Sequence, residues 1–415
     1  MRRLCALVLG GLLLAGCGGA SGIGLQAGAG GKAGARSEEH VLAARIDSAL
    51  DAVAPRPVEG NSLELLIDGQ DGFDALERAV RAARKSVWFE TFIWHNDRTG
   101  QRFAKLLAER KRDGLDVRVL VDPLGTMNRP GDRDVFRVLL DHGVPVRYYR
   151  QRVFGSLMNV THRKLYLLDG DRGFTGGMNI GDEYAHTWHD LLVDVKGPVA
   201  RDMHRIFGED WNVSGEPDLK AELISAGVAA MGNIKARTLK TNLNDQAGGR
   251  DLGMSKLAAL KTAQKSIKVA QLFLSDDTVI EHLERASKRG VDVKVLIARE
   301  NDQMIFREFN KYYGGRMRKA GIQVRFYEER FSHVKYVSVD GAWILLGSAN
   351  ADTRSYEMNQ EFSLGISDPE FTQECDRRVF DRDFATARVP SDAELRVSWT
   401  KMPVVKLADW LSYYL

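Results

Sequence analysis

Apolar and polar positions follow the same order twice along the chain. In the first copy, a stretch with helical spacing ends near Gly114 and is followed by the alternating apolar run 115–121. In the second copy, a helical stretch ends at Gly290 and is followed by the run 291–297. Alternation predicts strands, apolar residues three or four positions apart predict helices, and glycine marks a helix end. Each copy therefore predicts a helix followed by a strand.

Two further pairs of segments extend this repeat. Residues 83–87 match residues 263–267 and precede the helices, and residues 143–149 match residues 321–327 after the strands. Strands that alternate with helices favour an α/β fold with a mixed sheet flanked by helices in each half. A repeat of this length indicates a duplicated domain. We predict a first domain at 41–215, a linker at 216–250, a second domain at 251–390 and a C-terminal extension at 391–415.

The N-terminal residues predict an export signal that is not part of the fold. A short basic start precedes the apolar run 4–14, which is too short for a permanent membrane span. The run ends in Leu-Ala-Gly before Cys17, which resembles a bacterial lipobox and implies lipid attachment to that cysteine. An ordinary signal peptide with a chance cysteine is the alternative. Residues 1–16 are thus expected to be a lipoprotein signal peptide, and residues 17–40 a flexible Gly/Ala-rich tether.

Composition restricts partners and location. A lipid anchor at Cys17 predicts a bacterial envelope protein whose folded part lies in the periplasm or outside. By resemblance to enterobacterial sorting signals, Gly18 after the cysteine favours the outer over the inner membrane. The formal net charge of +3 is too small to predict extensive nucleic-acid binding, so that partner is not expected. Once Cys5 leaves with the signal and Cys17 carries lipid, Cys375 has no partner for an internal disulfide. The oligomeric state stays open.

One polar motif occupies the same place in both copies. His162 and Lys164 in the first correspond to His333 and Lys335 in the second. Their apolar neighbours predict a strand, on which residues i and i+2 project from one face. A neutral imidazole can attack phosphorus, a protonated one can donate to the leaving oxygen, and lysines can hold the phosphate oxygens. Histidine titrates near ~6.5, so a pair can hold both states. The repeated motif therefore indicates phosphodiester chemistry without a metal or cofactor.

Each motif continues into an Asp-Gly turn and a strand that ends in small residues and an asparagine. The turn residues are Asp169 and Asp340, and the asparagines are Asn179 and Asn350. We expect the glycines before the asparagines to let a phosphate approach the backbone. Asn179, Asn350 and Ser348 are predicted to bind its oxygens. The two aspartates belong to the catalytic motif, and we expect their role to be structural.

The two complete motifs resemble the phospholipase D superfamily, whose pattern is H-x-K-x4-D-x6-G-[SG]-x-N. The resemblance covers residues 40 to 390 and implies two tandem repeats related by a pseudo-two-fold axis, with the active site at their interface. It also implies that His162 is the nucleophile and His333 the general acid. In that superfamily an acid in a later strand hydrogen-bonds each catalytic histidine. Asp190 and Glu361 begin the next alternating runs and are the predicted orienting carboxylates.

Some segments, including residues 176–184, 188–198 and 350–361, are similar to bacterial cardiolipin synthases. This similarity implies a phosphatidyltransferase that acts on phospholipids through a phospho-histidine intermediate. Three alternatives stay open: a hydrolase that releases phosphatidic acid, a phosphodiesterase or nuclease, and an inactive binding protein. The lipobox and tether stand where many cardiolipin synthases have two membrane-spanning helices, so the acceptor alcohol is not predicted. His186 and His189 are expected on the surface.

Overall fold

The computed structural model of the protein describes residues 27–127, 129–149, 160–219, 227–242, 249–272, 274–300, 304–398 and 401–403. The chain divides into two units, residues 1–38 and residues 39–415. Cys17, the predicted signal peptide and the apolar end of the C-terminal extension lie outside the described residues.

Helix α1 runs from Ala27 to Leu50 and differs from the predicted tether, which was expected to be flexible up to residue 40. Alanine is the strongest helix former, and the residues after 36 add an apolar stripe. Within this stripe, Ile46 and Leu50 are buried in the hydrophobic core of the second half. Residues 41–50 were assigned to the first domain, but they pack against the second.

Among the described residues, each copy of the repeat forms seven strands. In the first half these are β1 (Val58–Ile67), β2 (Ser86–Thr91), β3 (Asp116–Val121), β4 (Val146–Tyr148), β5 (Leu165–Leu168), β6 (Arg172–Gly176) and β7 (Leu191–Lys196). In the second half they are β8 (Ile234–Thr241), β9 (Ser266–Gln271), β10 (Asp292–Ala298), β11 (Gln323–Tyr327), β12 (Tyr336–Val339), β13 (Trp343–Gly347) and β14 (Glu361–Ile366).

All fourteen strands join one sheet in the order β11-β10-β9-β12-β13-β14-β8-β1-β7-β6-β5-β2-β3-β4. The order of the second half is the reverse of the first, with β8 in the place of β1 and β14 in the place of β7. In each half the three outer strands are parallel and the inner ones antiparallel. The predicted α/β fold with two tandem, pseudo-symmetric repeats is confirmed.

Strand β8 lies inside the segment predicted as a linker. It pairs with β14 from Glu361↔Thr241 to Ile366↔Ala236 and also contacts β1. Ala236 and Leu239 are three positions apart, so they lie on opposite faces of the strand, and each is buried in a different hydrophobic cluster. The segment 216–250 therefore supplies the strand that joins the two halves of the sheet, and the polar residues around it concealed this role.

The helices cover the sheet. Those of the first half are α2 (Asp68–Ala82), α3 (Arg98–Arg112), α4 (Val135–Asp141), α5 (Asp182–His186) and α6 (Pro198–Val213). Those of the second half are α7 (Asp251–Thr262), α8 (Asp277–Lys288), α9 (Met304–Lys319), α10 (Thr353–Glu357), α11 (Pro369–Cys375) and α12 (Arg382–Thr386). Within the described part of the chain, no helix is both long and apolar enough to cross a bilayer.

Three large clusters of buried residues hold these layers together, and a small fourth cluster contains Leu42, Ala43 and Ala342. One cluster covers the outer face of each half, and a third is built from both halves and includes residues of α6 and α11. Along β5, Leu165 and Leu167 enter the shared cluster, whereas Tyr166 and Leu168 enter the cluster of the first half. This alternation means that the two faces of the strand contribute to different cores.

Candidate active site

The two motif histidines are each paired with a carboxylate from the other half of the chain. The Nδ1 atom of His162 lies 3.0 Å from Glu361 Oε1, and Nδ1 of His333 lies 2.7 Å from Asp190 Oδ2. A carboxylate accepts hydrogen bonds only, so each Nδ1 carries a proton and leaves Nε2 for chemistry. The structure therefore brings both predicted acids to the histidines, with the pairs crossed between the repeats.

Backbone pairing across the halves sets this arrangement. The amide of His162 donates to the carbonyl of Gln360 at 2.8 Å, and Gln360 precedes Glu361. In the same way, the amide of His333 donates to the carbonyl of His189 at 2.8 Å, and His189 precedes Asp190. Each histidine is thus aligned with the strand end that carries its acid. The motif histidines and their acids thus meet between the two repeats, where the active site was predicted.

Lys164 and Lys335 lie beside the histidines and are buried. Each Nζ donates to the carbonyl of the histidine in its own motif, at 2.6 Å for Lys164 and 2.8 Å for Lys335. Burial lowers the pKa of Lys164 to about 7, although the negative charge of Glu361 acts to raise it. Burial also lowers the pKa of Lys335 to about 8, although the negative charge of Asp190 acts to raise it. A bound phosphate would favour the charged form of both lysines.

Both imidazoles favour the neutral form in the free protein. Burial is the largest effect on the pKa of His162 and lowers it, against the charge of Glu361. Burial and the charge of Lys335 lower the pKa of His333 to about 3, against Asp190. A neutral imidazole suits a nucleophile. For His333 to act as an acid, a bound anionic phosphate has to raise its pKa, which is the direction of charge attraction.

The two predicted asparagines have different surroundings. Asn179 is buried, and its Oδ1 accepts from the hydroxyl of Thr91 and the amide of Ile93 at 3.2 and 3.0 Å. Its Nδ2 donates to the hydroxyl of Tyr184 at 2.9 Å. In contrast, Oδ1 of Asn350 has no hydrogen-bond partner among the described residues. Since Oδ1 and the phosphate oxygens are all acceptors, Asn350 would bind phosphate through its Nδ2, whereas Asn179 holds the end of its strand.

The small residues before the asparagines make room for the orienting acids. A Cβ atom at Gly176 would lie 2.1 Å from the carbonyl of Leu191, and one at Gly177 would lie 2.2 Å from Oδ1 of Asp190. The hydroxyl of Ser348 donates to Glu361 and accepts from the amide of Phe362. The glycines were expected to admit phosphate and Ser348 to bind it. The structure corrects both roles, because these positions face the neighbouring strand.

Asp169 and Asp340 stabilise the turns and do not reach the histidines. Oxygens of Asp169 accept from the amides of residues 84–86, and those of Asp340 accept from the amides of residues 264–266, at 2.7–3.1 Å. Both have a positive φ, 56° for Asp169 and 58° for Asp340, which an aspartate in a turn tolerates. They are better described as structural residues than as catalytic ones.

Aromatic side chains that were not predicted from the sequence lie beside the two histidines and line the site. The ring of Phe92 lies 5.1 Å from that of His162, with the Lys164 ammonium 5.4 Å from the same ring. Trp188 and Tyr184 lie 5.4 and 5.7 Å from His333. Aromatic faces exclude water from an imidazole without competing for its hydrogen bonds. Periodicity alone gave no signal for them, since each follows or precedes a strand in a loop or short helix.

The two histidines predicted on the surface behave differently. His186 is exposed, as expected. The prediction for His189 is wrong, because it is about 1% exposed and its ring lies between Asp68 and Asp383. Two carboxylates that are distant in sequence accept hydrogen bonds from the buried ring. The positions of His186 and His189 in the sequence could not predict these partners. Among the described residues, no group of three or more His, Cys, Asp or Glu side chains is arranged to hold a metal ion.

The family model described as "Cardiolipin synthase, PLD-like domain" matches residues 76–211 and again residues 257–384. The chain belongs to this family. The two matched regions contain both histidines and both crossed acids, and each includes all strands of its half of the sheet except β1 and β8, respectively. The predicted resemblance to the phospholipase D superfamily, and to its cardiolipin synthase-like members, is confirmed.

Curated relatives agree with the family match. The chain is 32% identical over 377 residues to cardiolipin synthase A of Pseudomonas fluorescens (strain SBW25), covering 86% of this chain and 77% of that protein. It is 28% identical over 322 residues to a probable cardiolipin synthase of Bacillus subtilis, covering 75% of this chain and 63% of that protein. The similarity therefore extends beyond the short motifs to most of the chain.

Two solved structures share the fold. Phosphatidylserine synthase of Haemophilus influenzae superposes with a TM-score of 0.66 at 16% identity, covering 90% of this chain and 98% of that one. Polyphosphate kinase of Porphyromonas gingivalis superposes with a TM-score of 0.54 at 12% identity, covering 85% of this chain and 56% of that one. At these identities the likeness concerns the arrangement of strands and helices.

Proposed function

We propose that the protein is a phosphatidyltransferase of the cardiolipin synthase type, with His162 as nucleophile and His333 as general acid and base. The observation that carries the proposal is the pair of crossed histidine–carboxylate contacts in a chain of this family. Cardiolipin synthases are the relatives that resemble it over most of its length. The phospholipid substrate follows from this membership.

In the first step, Nε2 of neutral His162 attacks the phosphorus of a phospholipid. A phosphorus–nitrogen bond forms, the bond from phosphorus to the headgroup oxygen breaks, and His333 gives its proton to that oxygen. Glu361 accepts the hydrogen bond from Nδ1 of His162 and stabilises the positive charge that develops on the ring. The Lys164 and Lys335 ammonium groups neutralise the phosphate oxygens.

In the second step, the hydroxyl of an acceptor attacks the phosphatidyl-histidine. Neutral His333 takes the acceptor's proton, a phosphorus–oxygen bond forms, and the bond to His162 breaks. Phosphatidylglycerol as acceptor gives cardiolipin, and water gives phosphatidic acid. The aromatic rings of Phe92, Tyr184 and Trp188 support the transferase, because they restrict water around the two imidazoles.

Purified protein with phosphatidylglycerol vesicles tests this function, with products resolved by lipid mass spectrometry. Cardiolipin with release of glycerol is the expected result. Phosphatidic acid as the main product, even with added glycerol, would make the protein a hydrolase. Absence of lipid turnover, with cleavage of single-stranded DNA, would make it a nuclease of the same superfamily. A His162→Asn variant controls for contaminating lipases.

We further propose that Cys17 carries lipid and holds the enzyme at the envelope, on the outer rather than the inner membrane. The lipobox-like residues before Cys17 and the Gly18 that follows support this location. Metabolic labelling with a fatty-acid analogue, followed by separation of membranes, tests it. Label on the wild type but not on a Cys17→Ala variant is expected. Equal label on both would contradict the anchor.

A further inference from the structure

A buried ionic cluster lies beside His333 and joins the two halves of the enzyme. Its centre is His189, whose Nδ1 lies 2.6 Å from an oxygen of Asp68 and whose Nε2 lies 2.8 Å from an oxygen of Asp383. Asp68 begins helix α2 in the first half, and Asp383 lies in helix α12 of the second. Because carboxylates only accept hydrogen bonds, both ring nitrogens must donate. The geometry therefore requires His189 to be an imidazolium.

Backbone hydrogen bonds connect this cluster to the catalytic pair. The amide of His189 donates to the carbonyl of Phe331, and its carbonyl accepts from the amide of His333, both at 2.8 Å. The next residue, Asp190, holds the ring of His333. The carbonyl of Asp190 in turn accepts from the amide of Asp68 at 2.8 Å. A shift of His189 would thus move the acid and the imidazole together.

The backbone of Asp68 has an uncommon conformation that serves this contact. Its φ of 69° lies in the left-handed region, which aspartate visits more readily than most residues. Such conformations persist where the surrounding contacts over-determine them. Here the amide is bound by Asp190 and the carboxylate by His189 and Arg330. The start of α2 is therefore fixed against the His333 side of the site.

The His162 side of the site has the same backbone pairing but different chemistry. Gln360 stands where His189 stands, and its Oε1 accepts from Arg163 at 3.0 Å. The guanidinium of Arg163 is fully buried and also donates to Asp210. Arginine is charged at every pH at which the protein folds, whereas histidine can lose its charge. The two sides are therefore held by a permanent and a titratable cation.

We propose that His189 is a positioning residue, which holds Asp68 and Asp383 across the two halves and thereby keeps the Asp190–His333 pair aligned for proton transfer. The role in catalysis rests on the phosphatidyltransferase function proposed above. His189 does not contact the reacting phosphorus; it acts through Asp190 and His333. Loss of its charge would leave the buried carboxylate of Asp383 and the partly buried carboxylate of Asp68 facing a neutral side chain, which disfavours the contact between the halves at this point.

The groups around His189 define the pH range of this effect. Asp68, Asp383 and the guanidinium groups of Arg330 and Arg382 face it, and the ring of Tyr327 stacks on it at 5.4 Å. Burial disfavours the charge, but hydrogen bonds and charge from the two aspartates raise the pKa of His189 to about 9. A raised pKa gives stability that is complete below the unfolded value of ~6.5 and is lost as pH rises through about 9.

The test compares His189→Gln and His189→Arg with the exposed His186→Gln as control. Rates are measured with phosphatidylglycerol vesicles between pH 6 and 10, and ¹⁵N NMR of histidine-labelled protein reports the tautomer of His333. We expect His189→Gln to lower kcat about 10- to 100-fold, with KM within about 2-fold, and to reduce the Nδ1–H tautomer of His333. His189→Arg should retain most of kcat at pH 7 and should keep the Nδ1–H tautomer of His333 at pH 9 and above, where His189 of the wild type loses its charge.

Failure of the positioning role of His189 and failure of the phosphatidyltransferase function give different results. A kcat of His189→Gln within about 2-fold of the wild type, or an unchanged tautomer of His333, would overturn the positioning role. If the wild type has no lipid turnover, the phosphatidyltransferase function fails and the tautomer alone decides the alignment. Should His189→Gln not fold, Asp68→Asn takes its place, since asparagine tolerates the left-handed φ and removes one charge. It should change kcat and tautomer in the same direction.

Discussion

Nδ1 of His162 lies 3.0 Å from Oε1 of Glu361, a residue of the opposite repeat. The same holds for His333 and Asp190 at 2.7 Å. Neither repeat contains a complete catalytic set, because each supplies a histidine and lends its acid to the other. Both repeats are therefore needed to form the site. The two halves have to pack so that each histidine stays within hydrogen-bond distance of the carboxylate from the other half.

The crossed pairing predicts a strong effect of Glu361→Gln. Glutamine has a similar size but presents an amide that can donate to Nδ1 and favour the wrong tautomer of His162. We expect kcat to fall about 100- to 10,000-fold with little change in the melting temperature. Steady-state kinetics with phosphatidylglycerol measure it, with the exposed Glu370→Gln as the control. A loss of less than about 5-fold would show that Glu361 does not orient the nucleophile.

The two asparagines should separate stability from activity. Asn179→Ala removes partners of Thr91, Ile93 and Tyr184 in a buried place, and we expect it to lower the free energy of unfolding by about 2–3 kcal/mol. Asn350→Ala should leave unfolding nearly unchanged and lower kcat/KM about 10-fold or more. Denaturant titration and lipid kinetics on both variants measure this. Equal losses of stability would contradict the different roles.

Asp169 and Asp340 should matter for folding alone. Asp169→Ala leaves three backbone amides without their acceptor and strains a left-handed position, so we expect a loss of about 2–4 kcal/mol in unfolding free energy. Asp169→Asn keeps the tolerated conformation and should cost about half as much. For each variant, kcat per folded molecule should match the wild type. A folded Asp169→Ala protein with kcat reduced 100-fold would place the residue in catalysis.

The buried lysines predict a pH dependence of kcat/KM. In the free enzyme the pKa of Lys164 is about 7 and that of Lys335 about 8, so both lose charge as pH rises through this range. Attraction of the phosphate, and with it kcat/KM, should fall above pH 7. The fall in kcat should occur at higher pH, since bound phosphate raises the pKa of both lysines. Profiles in mixed micelles measure both. A constant kcat/KM from pH 6 to 9 would contradict this account.

Much of this arrangement could be predicted from the sequence. The repeat defined the α/β halves, and the spacing of His162 and Lys164 predicted side chains on one strand face. The two acids could be identified from the resemblance to the superfamily, by their place at the start of a later strand. Which acid serves which histidine depends on how the halves pack, and the sequence contains no direct record of that. The crossed pairs became visible only in the fold.

The remaining differences have physical causes of the same kind. Strand β8 pairs with β14 and β1, but its apolar residues Ile234, Ala236 and Leu239 are separated by polar and charged ones, so the sequence did not predict a strand there. Ser348 and Gly177 looked like phosphate contacts, but each faces an orienting acid on the adjacent strand. His189 looked like a surface residue, but carboxylates from both halves surround it. Each case depends on residues distant in sequence.

The central claim is that a phosphatidyl group is carried on His162, oriented by an acid from the other repeat. Rapid mixing with phosphatidylglycerol, quenching in base to preserve phosphohistidine, and peptide mass spectrometry test it directly. We expect a phosphatidylated peptide that contains His162 and forms within the first turnover. Its amount should be about 100-fold or more lower in Glu361→Gln. Modification of His333 instead, or full turnover with no modified histidine, would contradict it.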